Sequence, residues 1–212
     1  MTDAHQPSRR PLIDYSRPSV AVDTAVLTVV DQSLSVLLVR AGDDGARWRL
    51  PGTFLHEGET LRDAVLRSLR VKAGVAGLQP RQLHVFDAPD RDDRGWVLSV
   101  AHVDVVRAET LPASDHIWIA PISDLPDLPY DHRDIVDFAV DVLRSDYRRA
   151  PDPGALLDGP FTMRRLRLVH EAVLGEKLVP DTFRRAMTPA LRATGRMLVE
   201  GRGRPAELFE RV

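Results

Sequence analysis

Apolar and polar positions follow two different periods along this chain, and the change from one to the other marks out its elements. Over 20–30 the residues are mostly Val, Ala, Leu and Thr, Asp31-Gln32-Ser33 interrupts the run, and a second β-branched and Leu run covers 35–40. That pair of runs predicts a β-hairpin. A polar Gly-Asp-Asp-Gly loop over 42–45 leads to Trp48-Arg49-Leu50-Pro51-Gly52, a short strand ended by Pro and Gly. From 60 the period becomes helical. Leu61, Ala64, Val65, Leu69 and either Val71 or Lys72 recur at spacings near 3.6, predicting a helix over 60–73. Thr60 followed by Asp63 is a capping pattern for its first turn, and Gly74 is a suitable terminator.

Further strands are expected at 83–86, 96–106 and 117–120, with a charged loop at 87–95 and a Pro-rich connector at 121–129. Asp131 is expected to cap a helix over about 133–148 whose apolar stripe is Ile135, Phe138, Ala139, Val142 and Leu143. Ala150-Pro-Asp-Pro-Gly then breaks the pattern, and a linker runs to Pro160. A helix over 162–174 follows, capped by Thr162, stapled by Phe161 and Leu166, and ended by Gly175. Asp181 is expected to cap a second helix over 182–191 that buries Phe183, Ala186, Met187 and Ala190 and turns Arg184, Arg185 and Thr188 elsewhere. Two strands, 194–200 and 205–211, flank Gly201-Arg202-Gly203-Arg204. The expected layout is a flexible arm at 1–18, a first domain at 19–130, a joining helix and linker at 131–159 and a second domain at 160–212.

Composition narrows the classes. A chain of 212 residues with 43% hydrophobic and 28% charged residues is ordinary for a soluble globular protein. Its apolar runs fall far short of the ~20 residues that cross a bilayer. The absence of Cys excludes disulfides, thiolate zinc sites, iron–sulfur clusters and Cys nucleophiles. The first residues contain no apolar signal core, which makes a cytoplasmic location the expectation. None of the seven His stands in an H-x3-H pair, so no metal site is expected, and His170 beside Glu171 reads as structural.

The net charge of −2 conceals an asymmetry. Residues 160–212 carry eleven Arg or Lys against six Asp or Glu, whereas the preceding segment carries eighteen against twenty-five. A basic tail behind an acidic front suggests a C-terminal module that binds a polyanion. All but two of the 29 cations are Arg, so their placement is informative and their number is not.

The order helix, helix, β-hairpin at the end of the chain fits a winged helix-turn-helix. On that reading Arg184 and Arg185 are candidates for base contacts, supported by Thr182 and Thr188. Thr162, Arg164 and Arg165 on the crossing helix and Arg202 and Arg204 on the wing are candidates for phosphate and groove contacts with double-stranded DNA.

The stretch from Leu50 to Val75 resembles the Nudix box, G-x5-E-x7-R-E-U-x-E-E-x-G-U, where U is bulky and apolar. Glu59, Arg67, Leu69, Gly74 and Val75 match, Thr53 replaces the first Gly, and Ser68, Val71 and Lys72 replace the three glutamates. In that family those glutamates hold Mg²⁺, which needs carboxylate oxygens. The resemblance therefore implies a Nudix fold without Nudix hydrolysis, without catalytic residues and without a metal or other cofactor. Arg49, Glu59, Arg67 and Lys72 are candidates for binding a nucleotide effector, with Lys72 and Arg67 supplying the charge of the missing metal. Glu57, Glu109 and the acidic loop with Asp87, Asp90, Asp92 and Asp93 could supply carboxylates, but the loop reads more simply as a solvated turn.

A degenerate box followed by Tyr130-Asp-His-Arg-Asp-Ile-Val, Asp-Thr-Phe-Arg-Arg and Gly-Arg-Pro-Ala-Glu-Leu-Phe is similar to the Nudix-related transcriptional regulators of NAD metabolism, the NrtR family. The fold this implies is α+β, an N-terminal Nudix-like α/β/α sandwich with a C-terminal winged helix-turn-helix domain. The function it implies is a homodimeric repressor of NAD biosynthesis or salvage genes, bound to palindromic operators and responsive to ADP-ribose or a related nucleotide. The residues leave open a divergent Nudix hydrolase with relocated metal ligands and a pseudoenzyme acting through protein contacts.

Overall fold

The computed structural model describes residues 11–40, 47–199 and 205–212. Strands β1 (Ser19–Val30) and β2 (Ser33–Arg40) form the expected hairpin. Its turn residues Asp31 and Gln32 both take positive φ, 48° and 61°, the geometry that matches the twist of paired strands. β1 also pairs in parallel with β6 (Val97–Val105) and antiparallel with the short β4 (Gly52–Phe54). β3 (Trp48–Arg49) and β7 (Ile117–Pro121) pair with β2, and β5 (Arg81–Phe86) closes the other edge against β6. The seven strands make one sheet.

Both faces of that sheet are covered, which is why β1 is apolar almost throughout. Val22, Val26, Leu37 and Val39 face helix α1 (Leu61–Ala73) through Ala64, Val65 and Leu69. Ala25, Leu27, Val36 and Leu38 face helix α2 (His132–Tyr147) through Ile135, Val136 and Ala139. The result is the expected α/β/α sandwich. The Thr60 hydroxyl accepts from the Asp63 amide, the Asp63 carboxylate accepts from the Thr60 amide, and Gly74 ends α1 at φ 62°. Val71, an expected member of the stripe, is exposed, and Ser68 is buried in its place.

Two expectations for α2 change. Asp131 precedes it but makes no capping hydrogen bond, because its carboxylate is held by Arg91. Its buried arc is rotated toward Val136, Val140 and Tyr147, since the helix packs against the sheet and also against Val169, Val173 and Leu174 from the C-terminal part. Phe138 is left half exposed, stacked on His84 of β5 at 4.9 Å between ring centres.

The C-terminal part comprises β8 (Phe161–Thr162), α3 (Met163–Leu174), α4 (Pro180–Met187), β9 (Leu191–Leu198) and β10 (Ala206–Arg211). β8, β10 and β9 form a three-stranded sheet, and Phe161, Leu166, Phe183, Met187 and Phe209 form the core beneath the helices. Thr162 caps α3 through its hydroxyl, and Gly175 ends it at φ 73°. The second helix starts earlier and ends sooner than expected. Pro180 occupies its first turn, Asp181 makes no cap, and Pro189 lies in a 3-10 turn, Thr188–Ala190, that follows. In so short a helix only Phe183 and Met187, one turn apart, reach the core, so Ala186 and Ala190 are exposed.

The segment between α2 and β8, expected as a linker, is anchored. Asp152 is fully buried, accepts from the Tyr147 hydroxyl at 2.7 Å and the Leu156 and Leu157 amides at 2.9 Å, and pairs with Arg211 of β10. Its own amide donates to His170 Nε2 at 3.2 Å. The His170 ring lies edge-on to Tyr147 at 4.8 Å and to Phe183 at 4.9 Å. Burial holds its pKa down to about 4, so this seam keeps His170 neutral.

Candidate functional site

Asp23 stands in the middle of β1, a charged residue in a strand with both faces covered, and a polar site is assembled around it. Its carboxylate accepts from the Ser99 hydroxyl at 2.6 Å and lies 3.3 Å from His132 Nε2 and 3.6 Å from Arg91. His132 Nδ1 accepts from the Leu50 amide at 3.1 Å, so its proton sits on Nε2 and is directed at Asp23. Burial works to raise the pKa of Asp23, but His132, Ser99 and Arg91 together outweigh it and hold the carboxyl ionised below its usual range. Gly52 allows the close approach, since a Cβ there would lie 1.8 Å from Asp23 Oδ1.

Beside this group is a cavity of about 260 Å³ bounded by Arg49, Gly52, Lys72, Arg91, Arg94 and Tyr130 among others. A second cavity of about 570 Å³ shares Arg49, Arg91 and Tyr130 with it, so the two form one groove. The smaller cavity is lined by four cations, Arg49, Lys72, Arg91 and Arg94, and by two carboxylates, Asp23 and Asp92. Arg94 clasps Asp92 through two nitrogens at 2.8 and 2.6 Å, which lowers the pKa of Asp92. The same guanidinium lies over the rings of Phe54 and Tyr130, 5.4 and 5.2 Å from their centres. Arg91 clasps Asp131 at 2.7 and 2.5 Å. Arg49 and Lys72 have no carboxylate partner among the described residues. Burial and the neighbouring Arg49 charge lower the pKa of Lys72, as expected of two cations that repel each other in a half-buried space. The cavity therefore has an excess of positive charge and favours an anion.

A larger cavity, about 790 Å³, lies between α2 and α3. Its lining carries three cations, Arg133, Arg144 and Lys177, against four carboxylates, Asp137, Asp141, Glu171 and Glu176, with Arg133 paired to Asp137 and Lys177 to Glu171. It carries no comparable surplus.

The Nudix-box positions explain how the cation came to be there. Lys72, where the family pattern has a metal-binding glutamate, donates its ammonium to the Gly52 carbonyl. Ser68 is buried with its hydroxyl unpartnered, and Val71 points to solvent. Glu59 is bound to Arg67 at 2.7 and 2.8 Å and accepts from the His56 amide, which holds its pKa down to about 2. Arg67 also donates to Thr53 and to the Phe54 carbonyl, so it ties the box loop to α1. Among the described residues no three His, Asp or Glu side chains are grouped as a metal ion requires. The donor set does not fit a divalent cation.

Of the expected effector residues, Arg49 and Lys72 line the cavity, whereas Glu59 and Arg67 serve each other outside it. The expected solvated loop is only partly so: Arg91 and Asp92 are buried and turned inward. Asp23, Arg91, Arg94 and His132 were not among the expected site residues, and Asp92 was expected only as one of the loop carboxylates that could replace the lost metal ligands. An ionisable residue inside an apolar strand was the one local signal, and it pointed to Asp23 alone.

On the C-terminal part, Arg164 and Arg165 at the start of α3 and Thr182, Arg184 and Arg185 on α4 are exposed. None of the four arginines has a carboxylate partner among the described residues. Thr162 is buried and its hydroxyl accepts from the Arg165 amide, so it is turned inward. Thr188 is exposed, but its hydroxyl donates to the Arg184 carbonyl at 2.7 Å. Arg202 and Arg204 lie outside the described residues.

These two regions define the class: a Nudix fold with a cationic, metal-unsuited cavity, joined to a winged helix with a bare arginine face. Residues 20–137 match the description "NUDIX domain", and residues 153–210 match "NrtR DNA-binding winged helix domain". The crystal structure of Shewanella oneidensis NrtR complexed with a 27mer DNA is similar with a TM-score of 0.77 and 32% identity, covering 91% of this chain and 93% of that one. The chain belongs to the NrtR family. It is also 28% identical over 208 residues to "ADPR responsive transcriptional repressor NtrR" of Acinetobacter baylyi, covering 92% of this chain and 83% of that protein. A third relative, an ADP-ribose pyrophosphatase of Methanocaldococcus jannaschii, is 34% identical over 128 residues, which is 58% of this chain and 73% of that protein.

Proposed function

We propose that this protein is a transcriptional repressor that binds operator DNA through its winged helix and responds to ADP-ribose bound in its Nudix domain without hydrolysing it. The observation that carries the reading is the cavity's excess of cations, in which Lys72 and Arg49 have no ion-pair partner among the described residues. A diphosphate diester, with one negative charge on each phosphate, supplies the missing anions. With the Lys72 ammonium on the Gly52 carbonyl, the positive charge is built into the chain. Binding then needs no metal, and the three helix glutamates of the Nudix box that would hold Mg²⁺ are replaced by Ser68, Val71 and Lys72. The exposed Arg164, Arg165, Arg184 and Arg185 are available to a duplex, and Arg202 and Arg204 of the wing are assigned to the same surface. Residues 160–212 act as the DNA-binding domain and 19–130 as the effector domain. The protein acts as a cytoplasmic homodimer on a palindromic operator of genes for NAD biosynthesis or salvage. No described helix is long and apolar enough to cross a membrane.

The relationship to an ADP-ribose pyrophosphatase supports the alternative, a hydrolase with relocated carboxylates. One experiment separates the two readings. Fluorescence anisotropy with duplexes from the protein's own promoter region, with and without ADP-ribose, is run beside chromatography of the nucleotide in Mg²⁺. The expected result is ADP-ribose-dependent release of DNA with the nucleotide recovered intact; appearance of AMP, with no effect on DNA, favours the hydrolase.

A further inference from the structure

The cavity and the winged helix are connected by one rod, α2, and both of its ends are held by buried polar groups. At its start Asp131 clasps Arg91 through both oxygens, 2.7 and 2.5 Å, while doing no capping work for the helix. Holding Arg91 is thus its visible task. The Arg91 side chain is almost completely buried, lines both lobes of the groove, and is only 3.6 Å from Asp23. A guanidinium in that position is the best-shaped group in the cavity for a phosphate, because its planar fork donates two parallel hydrogen bonds. In the free protein that fork is occupied by a carboxylate of the protein itself.

We propose that Arg91 is a phosphate-binding residue of the ligand site and that Asp131 is its resident placeholder: an incoming phosphate takes the guanidinium, and the first turn of α2 is released. The proposal rests on the reading of the cavity as a diphosphate site. Lys72 and Arg49 draw the anion in, and Arg91 converts its arrival into a change of backbone restraint. His132 stays seated between the Leu50 amide and Asp23, so α2 pivots at that point and does not detach. The helix has 16 residues, a lever of about 24 Å. At its far end Tyr147 is bound to Asp152, which holds Arg211 of the wing strand, and His170 contacts both Tyr147 and Phe183 of α4. A tilt of α2 is therefore passed to the strand and helix that would face DNA. Replacing a carboxylate by a phosphate on the same fork exchanges bonds of similar strength. The expected coupling is accordingly moderate, about 5- to 150-fold in DNA affinity.

The test is Asp131→Asn in the full chain, which keeps the size of the side chain and a residue type suited to a helix start. Calorimetry with inorganic pyrophosphate and with ADP-ribose, and amide hydrogen exchange across the first turn of α2, are the readouts. The expected result is that both ligands bind the variant about tenfold more tightly, since they no longer compete with Asp131, and that the first turn exchanges fast without ligand. In the unmodified protein it should exchange fast only with ligand. Unchanged affinity and unchanged exchange in the variant, with both ligands still binding the unmodified protein, overturn the exchange mechanism alone. Failure of the unmodified protein to bind either ligand instead overturns the cavity reading. If Asp131→Asn does not fold, Arg91→Lys takes its place: it keeps the charge and loses the fork, and an unchanged pyrophosphate affinity would count against the proposal equally.

Discussion

Arginine is used in opposite ways in the cavity and on the winged helix. Around the cavity, Arg91 and Arg94 are clasped by aspartates, buried or stacked on rings, and fixed in direction. On the C-terminal face, Arg164, Arg165, Arg184 and Arg185 project into solvent without a carboxylate to hold them. On the proposed function, the difference follows from what each surface has to recognise. A small anion offers few contacts, and affinity depends on groups set in place beforehand at no further entropic loss. A duplex offers a regular series of phosphates and releases counterions on binding, so cations there need only be free of competing anions. One residue type thus serves a rigid site in one half and an adaptable surface in the other.

The comparison is broken most severely by Arg184→Ala with Arg185→Ala. If these are base-reading and phosphate-binding groups, specific DNA affinity should fall by about 100-fold or more in an anisotropy titration, with a shallower salt dependence, while ADP-ribose affinity stays unchanged. Equal losses on both ligands would mean that the arginines support the fold. Lys72→Glu tests the other half. Reversing the charge beside Arg49 should weaken ADP-ribose binding by about tenfold to 100-fold without Mg²⁺, and added Mg²⁺ should recover part of it; the unmodified protein should be indifferent to Mg²⁺.

The seam offers a third test through pH. His170 has its folded pKa held near 4 against an ordinary 6.5, so the unfolded chain binds the extra proton first as pH falls. Stability contributed by neutral His170 is fully present above about pH 6.5 and is lost progressively down to about pH 4, amounting to on the order of 3 kcal/mol. Thermal melts of His170→Gln over that range should show a flatter pH dependence than the unmodified protein. The smallest effect is expected for Arg81→Ala. Its pair with Asp146 at 3.4 Å is exposed on both sides, so stability should change by less than about 1 kcal/mol and neither ligand should notice. A large effect there would show that ion pairing as such, and not burial, distinguishes the two regions.

Much of the fold could be read in the sequence because its signals are local. Thr60 with Asp63, Gly74, Thr162 and Gly175 each declare a helix end within four residues, and Asp31-Gln32 declares the hairpin. The losses at Ser68, Val71 and Lys72 could likewise be read by laying the chain against the Nudix box it resembles. The cavity could not, because its partners are distant along the chain. Asp23 meets Ser99 across 76 positions, Leu50 meets His132 across 82, and Arg91 meets Asp131 across 40. No periodicity encodes such meetings; they follow from strand order. The errors at Asp131 and Asp181 share one cause. An acidic residue before a helix satisfies the capping pattern, yet a better partner elsewhere, Arg91, or a proline start, Pro180, removes the need for it.

The seam at Asp152 bears on how separable the two halves are. The matched segments end at 137 and resume at 153, so neither contains Tyr147 or Asp152. A C-terminal half begun at 153 would keep Arg211 and His170 but lose the hydroxyl, carboxylate and amide that satisfy them. The apparent module boundary is thus a poor place to cut. In any exchange of domains between relatives, no cut should fall within 138–152, because Phe138, Ala139 and Leu143 pack on the sheet while Tyr147 and Asp152 bond to the winged helix.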